Sequence, residues 1–209
     1  MGGMFDPVHL GHLQTARTVL NFLALDAMRL LPCGNPVHRD SLKATVEQRL
    51  AMLALALAED SRITVDVREC SSPEPSFAIH SLEAIKQENP ASRLFYIMGQ
   101  DTFNALDTWK RWRDMLELVH VVVAARPGYQ PDLSPALATE MQAREVQDVA
   151  SMKRHASGRI LVTRLELLDI SSSMVRKKIL HRENIKELVP LEVAAYIQAN
   201  GLYTTEVNP

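Results

Sequence analysis

Residues 2–12 read GGMFDPVHLGH. Two glycines precede a Phe5-Asp6-Pro7 turn, and His9 and His12 follow within one helical turn of each other. Side chains three apart project from about the same side of a helix start. Gly2 and Gly3 let a bulky ligand approach the backbone. A helix start also offers free N–H groups and the positive end of a dipole, which suits phosphate. Two imidazoles beside such donors fit a polyphosphate undergoing reaction. Plainer readings stand beside this one. A glycine pair is an ordinary turn, and H-x-x-H is half of a metal site. No third ligand at suitable spacing stands out, and His38 lies on a distant loop. Spacing alone leaves these readings open.

The elements that must position the motif alternate along the chain. Helix-period apolar residues run through 12–25, 46–60, 76–89, 171–182 and 190–200. Strand signals occupy 27–32, 62–69, 93–99, 118–128 and 159–167. Ser76 follows Pro75 as an N-cap candidate. Gly201 suits the end of the last helix. Alternation of this kind implies an α/β fold, a doubly wound, Rossmann-like, mostly parallel sheet with helices on both faces. Its ligands should sit beyond the C-terminal strand ends. We expect one domain over 1–209, with 132–156 a helical insertion and 170–209 a C-terminal helical portion.

Composition limits the partners. The 209 residues are 46% hydrophobic and 23% charged, with a formal net charge of -2, so nothing global calls for nucleic acid or an acidic membrane. The two cysteines, Cys33 and Cys70, form neither a disulfide framework nor a metal-spaced pattern, which fits a reducing compartment. Nothing in the opening residues reads as a charged stretch followed by an apolar one, so no targeting segment is expected. The apolar run from Leu50 is too short for a bilayer span. A cytoplasmic protein is expected.

The opening motif resembles the signature of the H-x-G-H nucleotidyltransferases. Its companion, ISSSMVR from Ile170 to Arg176, resembles their I-S-S-T-x-(I/V)-R motif. Between the two, NPVHR (35–39), PSFAIHSL (75–82), YIMGQD (96–101), TW (108–109) and RPG (126–128) match, in order, blocks of the bacterial nicotinate-nucleotide adenylyltransferases. The resemblance covers nearly the whole chain. It implies adenylyl transfer from ATP to nicotinate mononucleotide, giving deamido-NAD and pyrophosphate. It implies His9, His12 and Arg176 as catalytic residues and Gly2, Gly3, Phe5, Gly11, Gly99, Asp101, Ser172 and Ser173 around ATP. The mononucleotide would meet His38, Arg39, Ser76, Phe77, Ala78, Trp109 and Arg126. Mg²⁺ would arrive with ATP, held mainly by phosphate oxygens and water.

Each role has a simpler alternative. Asp101 could be the N-cap of the next helix, and one of Ser171 to Ser173 should cap the helix they open. Trp109 could be a core anchor, a role assigned first to Trp112. Arg176 could lie on a solvated face beside Lys177 and Lys178. Met4, Ala78 and Ser81 stand where the family usually has threonine, and NPVHR replaces P-P-H-(K/R). The family also has an apolar strand ahead of the glycines, so the resemblance implies apolar residues before Met1 in the native reading frame. Three other functions remain open. One is a related enzyme such as pantetheine-phosphate adenylyltransferase. Another is a catalytically silent nucleotide sensor. The third is a nucleic-acid module using WKRWR (109–113) or RKKILHR (176–182), which net acidity disfavours.

Overall fold

The structure is a computed structural model and describes residues 1–36, 42–125, 131–163, 165 and 167–205. It is α/β with parallel strand pairing, as the alternation predicts. The chain divides into two compact units. One comprises Met1–Gly2 and Phe77–Glu166, the other Gly3–Ser76 and Leu167–Pro209.

In the first unit β4 (Phe95–Gly99), β5 (His120–Ala124) and β6 (Ile160–Thr163) form a parallel sheet in the order β4-β5-β6. Phe95 pairs with His120 and Gly99 with Ala124, while Val121 pairs with Ile160. The central strand reads HVVVA and is buried throughout. Such β-branched runs suit a strand covered on both faces. Helices α3 (Ala78–Glu88), α4 (Gln100–Asn104) and α5 (Trp112–Leu118) supply Ile79, Leu82, Phe103, Trp112 and Met115 to a core with Tyr96, Met98, Val121 and Val123. Trp112 is the core anchor that the sequence predicts. Helices α6 (Pro135–Arg144) and α7 (Val149–Lys153) fall within 132–156.

The other described strands are β1 (Gly2–Gly3), β2 (Met28–Pro32) and β3 (Ile63–Val65), in that order, with β2 and β3 parallel. The Gly3 carbonyl accepts the Cys33 N–H at 3.0 Å. Helices α1 (Leu10–Phe22), α2 (Val46–Ala56), α8 (Ser172–Leu180) and α9 (Leu191–Ala199) belong to the second unit.

Several element boundaries differ from expectation. Strand β3 stops at Val65 because the Asp66 carboxylate accepts the Arg68 N–H at 3.2 Å and turns the chain. Helix α1 begins two residues before 12 and ends at Phe22, with Ala24 at φ 46. Ser76 does not cap α3. Its Oγ instead accepts the N–H groups of Gly34 and Asn35 at 3.1 and 3.0 Å, and Phe77 takes the cap position without a side-chain bond.

His120 is fully buried at the start of β5. Its Nδ1 accepts the Arg159 N–H at 3.2 Å, so its Nε2 carries the proton and donates to the His155 carbonyl at 3.1 Å. Burial pulls this imidazole below the ordinary histidine value. The unfolded chain therefore takes up the proton first, and the stabilisation is present above about pH 6.5 and lost below it. The free energy of unfolding should fall between about pH 7 and about pH 5.5, and fall less in His120→Gln. Urea titrations at both pH values check this. Equal slopes for the two proteins would contradict it.

Candidate active site

His9 and His12 open α1 as a reciprocal pair. His9 is the N-cap, at φ -144 and ψ 167. Its Nδ1 accepts the His12 N–H at 3.3 Å, and His12 Nδ1 accepts the His9 N–H at the same distance. This is the capping-box arrangement built from imidazoles. It has a chemical consequence. A ring nitrogen that accepts an N–H is unprotonated, so both neutral rings carry their proton on Nε2. The rings stack with centroids 3.6 Å apart and planes 24° apart. Burial, then the neighbouring His9, push His12 well below the ordinary histidine value. His12 is therefore a neutral hydrogen-bond donor at pH 7.

The glycines make room rather than supply unusual backbone angles. A Cβ on Gly11 would stand 3.0 Å from His9 Nδ1, and one on Gly3 would stand 3.0 Å from the Phe5 ring. A Cβ on Gly2 would overlap Tyr96 Oη. The left-handed residue in this loop is Phe5, at φ 49. Its ring lies edge-on to His12, centroids 4.9 Å apart.

The second motif meets the first in the same unit. Ser171 is the N-cap of α8, accepting the Met174 N–H at 3.2 Å. Ser172 Oγ donates to the Pro7 carbonyl at 2.9 Å, and Ser173 Oγ lies 3.0 Å from Ser171 Oγ. Arg176 is half-buried, and its Nη1 donates to the Asp6 carbonyl at 2.6 Å. One nitrogen is thus engaged by the motif loop, and a guanidinium has five N–H donors. The structure therefore brings His9, His12, Phe5, Gly3, Gly11, Ser172 and Arg176 together.

Asp6 and Tyr203 were missed by sequence reading. Asp6 is 1% exposed, and its carboxylate accepts the N–H groups of Lys43 and Ala44 and the hydroxyl of Tyr203 at 2.7 Å. Burial, and then Asp6, push the Tyr203 phenol far above its ordinary value. No local signal announces a bond across 197 residues of sequence. An aspartate before proline reads simply as a turn.

The first unit carries a separate set. Gly99 ends β4 and caps α4, and a Cβ there would meet nothing within 4 Å. The fold does not require glycine at this strand end, so the open space suits a ligand lying against the backbone. Asp101 is not the N-cap; it is an exposed residue of the first turn of α4. Trp109 is half-buried and stands edge-on to Tyr96 at 6.0 Å. Phe77 and Ala78 begin α3, whose first turn holds no acidic side chain, and Lys110 Nζ sits 4.2 Å from the Phe77 ring centroid. Ser76 belongs to the second unit. His38, Arg39 and Arg126 lie outside the described residues. Among the described residues no group of three His, Cys, Asp or Glu side chains could hold a metal ion. Among the described residues no helix is long and apolar enough to cross a membrane.

Comparisons with known proteins bear on the whole chain. A family model described as cytidylyltransferase-like matches residues 1–178. A Laribacter hongkongensis protein named "Probable nicotinate-nucleotide adenylyltransferase" is 41% identical over 208 residues, covering 98% of this chain and 93% of that protein. A Dechloromonas aromatica protein of the same name is 38% identical, covering 97% of this chain and 95% of its own. Among solved structures, Plasmodium falciparum nicotinic acid mononucleotide adenylyltransferase complexed with NaAD superposes with a TM-score of 0.74. Its identity is 16%, over 99% of this chain and 97% of that one, so it supports the fold. The paired motifs, the parallel α/β architecture and the near-complete match to these relatives agree, and the chain belongs to the cytidylyltransferase-like family, among the nicotinate-nucleotide adenylyltransferases.

Proposed function

We propose that this protein transfers the adenylyl group of ATP to nicotinate mononucleotide, giving deamido-NAD and pyrophosphate in NAD synthesis. The observation that carries this reading is the reciprocally capped histidine pair at a helix start, whose Nδ1 atoms both accept backbone N–H groups and so turn the Nε2 edge of His12 into a neutral donor. The nucleophile is the 5'-phosphate of the mononucleotide, mostly dianionic at neutral pH because its second pKa is about 6. It needs no general base. The barrier lies in bringing two polyanions together and in stabilising charge on the departing pyrophosphate. In-line positioning and fixed donors address both, without a covalent intermediate.

In this reading His9 and His12 donate to the ATP phosphates, His12 at the α-phosphate under attack. Ser172, Ser173 and the α8 N–H groups hold the β- and γ-phosphates, and Arg176 neutralises them. Gly2, Gly3, Phe5 and Gly11 shape the loop around ATP. Gly99 takes adenine and Asp101 the ribose. Ser76, Phe77, Ala78, Trp109, His38, Arg39 and Arg126 serve the mononucleotide. The working compartment is the cytoplasm. The test is incubation with ATP, Mg²⁺ and, separately, nicotinate mononucleotide, nicotinamide mononucleotide and phosphopantetheine. Deamido-NAD is the expected major product. Dephospho-coenzyme A would favour the pantetheine enzyme, and no product would favour a sensor.

Mg²⁺ enters this reading as an ion carried by ATP. The imidazole and guanidinium groups of the two motifs are N–H donors, which suit phosphate oxygens, whereas Mg²⁺ takes oxygen ligands. When bound, the ion would neutralise phosphate charge. A chelator should therefore abolish turnover and leave the melting temperature of the free protein unchanged. Thermal unfolding with and without chelator checks this, and a marked drop in melting temperature would point to a metal built into the fold.

A further inference from the structure

Helix α2 carries an arginine in its apolar stripe. Arg49 shares a helix face with Met52 and Leu53, and all three are 0% exposed. Removing a guanidinium from water is costly unless its donors are well used. Arg49 Nη1 donates to the Met4 carbonyl at 2.9 Å, and Nη2 reaches the Gly34 carbonyl at 3.5 Å. Its Nε has no partner among the described residues. Two backbone oxygens are modest partners for a fully buried cation, so general stability is a poor account of it.

The location of the Met4 carbonyl gives a better one. It directly precedes Phe5, whose φ of 49 is unusual for a residue with a side chain. Such a conformation costs about 1–3 kcal/mol and persists only where the surroundings impose it. Arg49 holds the carbonyl on one side of Phe5, and Arg176 holds the Asp6 carbonyl on the other. Gly3 leaves space for the Phe5 ring. The ring is 1% exposed and stands edge-on to His12, 61° from its plane. A line of contacts thus runs from Arg49 through Met4 O and Phe5 to the His12 imidazole.

We propose that Arg49 is a positioning residue for adenylyl transfer, clamping the Met4 carbonyl so that Phe5 fixes the ring of His12. The inference rests on the role given to His12 above. Arg49 touches no reacting atom in this account. Its side chain holds the loop in the one conformation that aims His12 Nε2, while the phosphate contacts of Arg176 and Ser172 are left in place.

The experiment uses Arg49→Met and Arg49→Lys, with steady-state kinetics, thermal unfolding and ¹⁵N spectra of the histidines. In the unchanged protein His12 should show a single Nε2–H tautomer. Arg49→Met should lower kcat by about 100-fold, the scale of a small misplacement of a catalytic group. KM for ATP should stay within about twofold, since ground-state binding is kept. The His12 signals should shift towards a mixture of tautomers. Arg49→Lys retains a donor for Met4 O and should recover part of kcat. A folded Arg49→Met protein with unaltered kcat and His12 spectrum would overturn the proposal. So would failure of both variants to fold, which would assign Arg49 to stability. Failure of the His12 reading itself is separable, because it would appear as full activity in His12→Ala whatever Arg49 does.

Discussion

His12→Ala should fold, bind ATP and lose about 100- to 1,000-fold in kcat, the usual effect of deleting one preorganised donor to a charged transition state. The fold should survive because the substitution leaves the backbone half of the cap intact. The His12 N–H still donates to His9 Nδ1. What is lost is the acceptor for the His9 N–H. Losing one capping bond costs about 1 kcal/mol, or roughly 2–4 °C in a chain of this size. The kinetic loss should fall on kcat rather than on KM for ATP, because charge gathers on the phosphates as the α–β bond breaks. His12 is neutral at pH 7, for the burial and His9 proximity given above. Its effect is therefore that of an aimed N–H, not of a fixed positive charge. Steady-state kinetics of the folded variant measure this. A kcat within about threefold of the parent would remove His12 from the reaction.

The second large effect is the choice of acid over amide. Nicotinate mononucleotide should exceed nicotinamide mononucleotide in kcat/KM by at least roughly tenfold. The two substrates differ in a carboxylate against a carboxamide. Helix α3 begins at Ala78 with no side-chain cap and no acidic residue in its first turn, and Lys110 lies near its N-cap residue. The N–H groups and positive dipole end that a helix start offers favour a carboxylate there. A carboxamide offers one acceptor oxygen and turns an NH₂ donor towards donors. Leaving such a pair unmade in a desolvated site costs about 1–3 kcal/mol. Trp109 would stack on either pyridine ring. Trp109→Ala should therefore weaken both substrates and keep most of the ratio. A ratio near one in the parent protein would show that the start of α3 does not read the carboxylate.

The sequence displays what depends on near neighbours. Val121 to Val123 predict a buried strand, and the alternating elements predict parallel pairing. His9 and His12 are spaced for one turn, and they stack. Local reading also shows its limits. Ser76 reads as a cap because the residue type fits, yet its hydroxyl serves Gly34 and Asn35, more than 40 residues away. Asp101 reads as a cap and lies past Gly99, the residue that takes that position. Residues 66–69 continue the strand pattern, but the Asp66 carboxylate bends the chain. Arg49 left a faint signal, since a charge at the spacing of Met52 and Leu53 breaks an apolar stripe. Asp6 and Tyr203 left none, because their bond joins opposite ends of the chain. The glycines drew attention for the right loop and a different reason. They accommodate the rings of Phe5 and His9, while the strained residue is Phe5 itself.

The central claim is that an oxygen of the mononucleotide phosphate ends up on the α-phosphorus of ATP, with the α–β bond broken. Nicotinate mononucleotide labelled with ¹⁸O in its phosphate tests this in one experiment with unlabelled ATP and Mg²⁺. Attack at the α-phosphorus makes the mononucleotide oxygen the new bridge, and every oxygen of the pyrophosphate then comes from ATP. Mass spectrometry should find all the label in deamido-NAD and none in pyrophosphate. Label in pyrophosphate, or consumption of ATP without a labelled dinucleotide, would contradict the account.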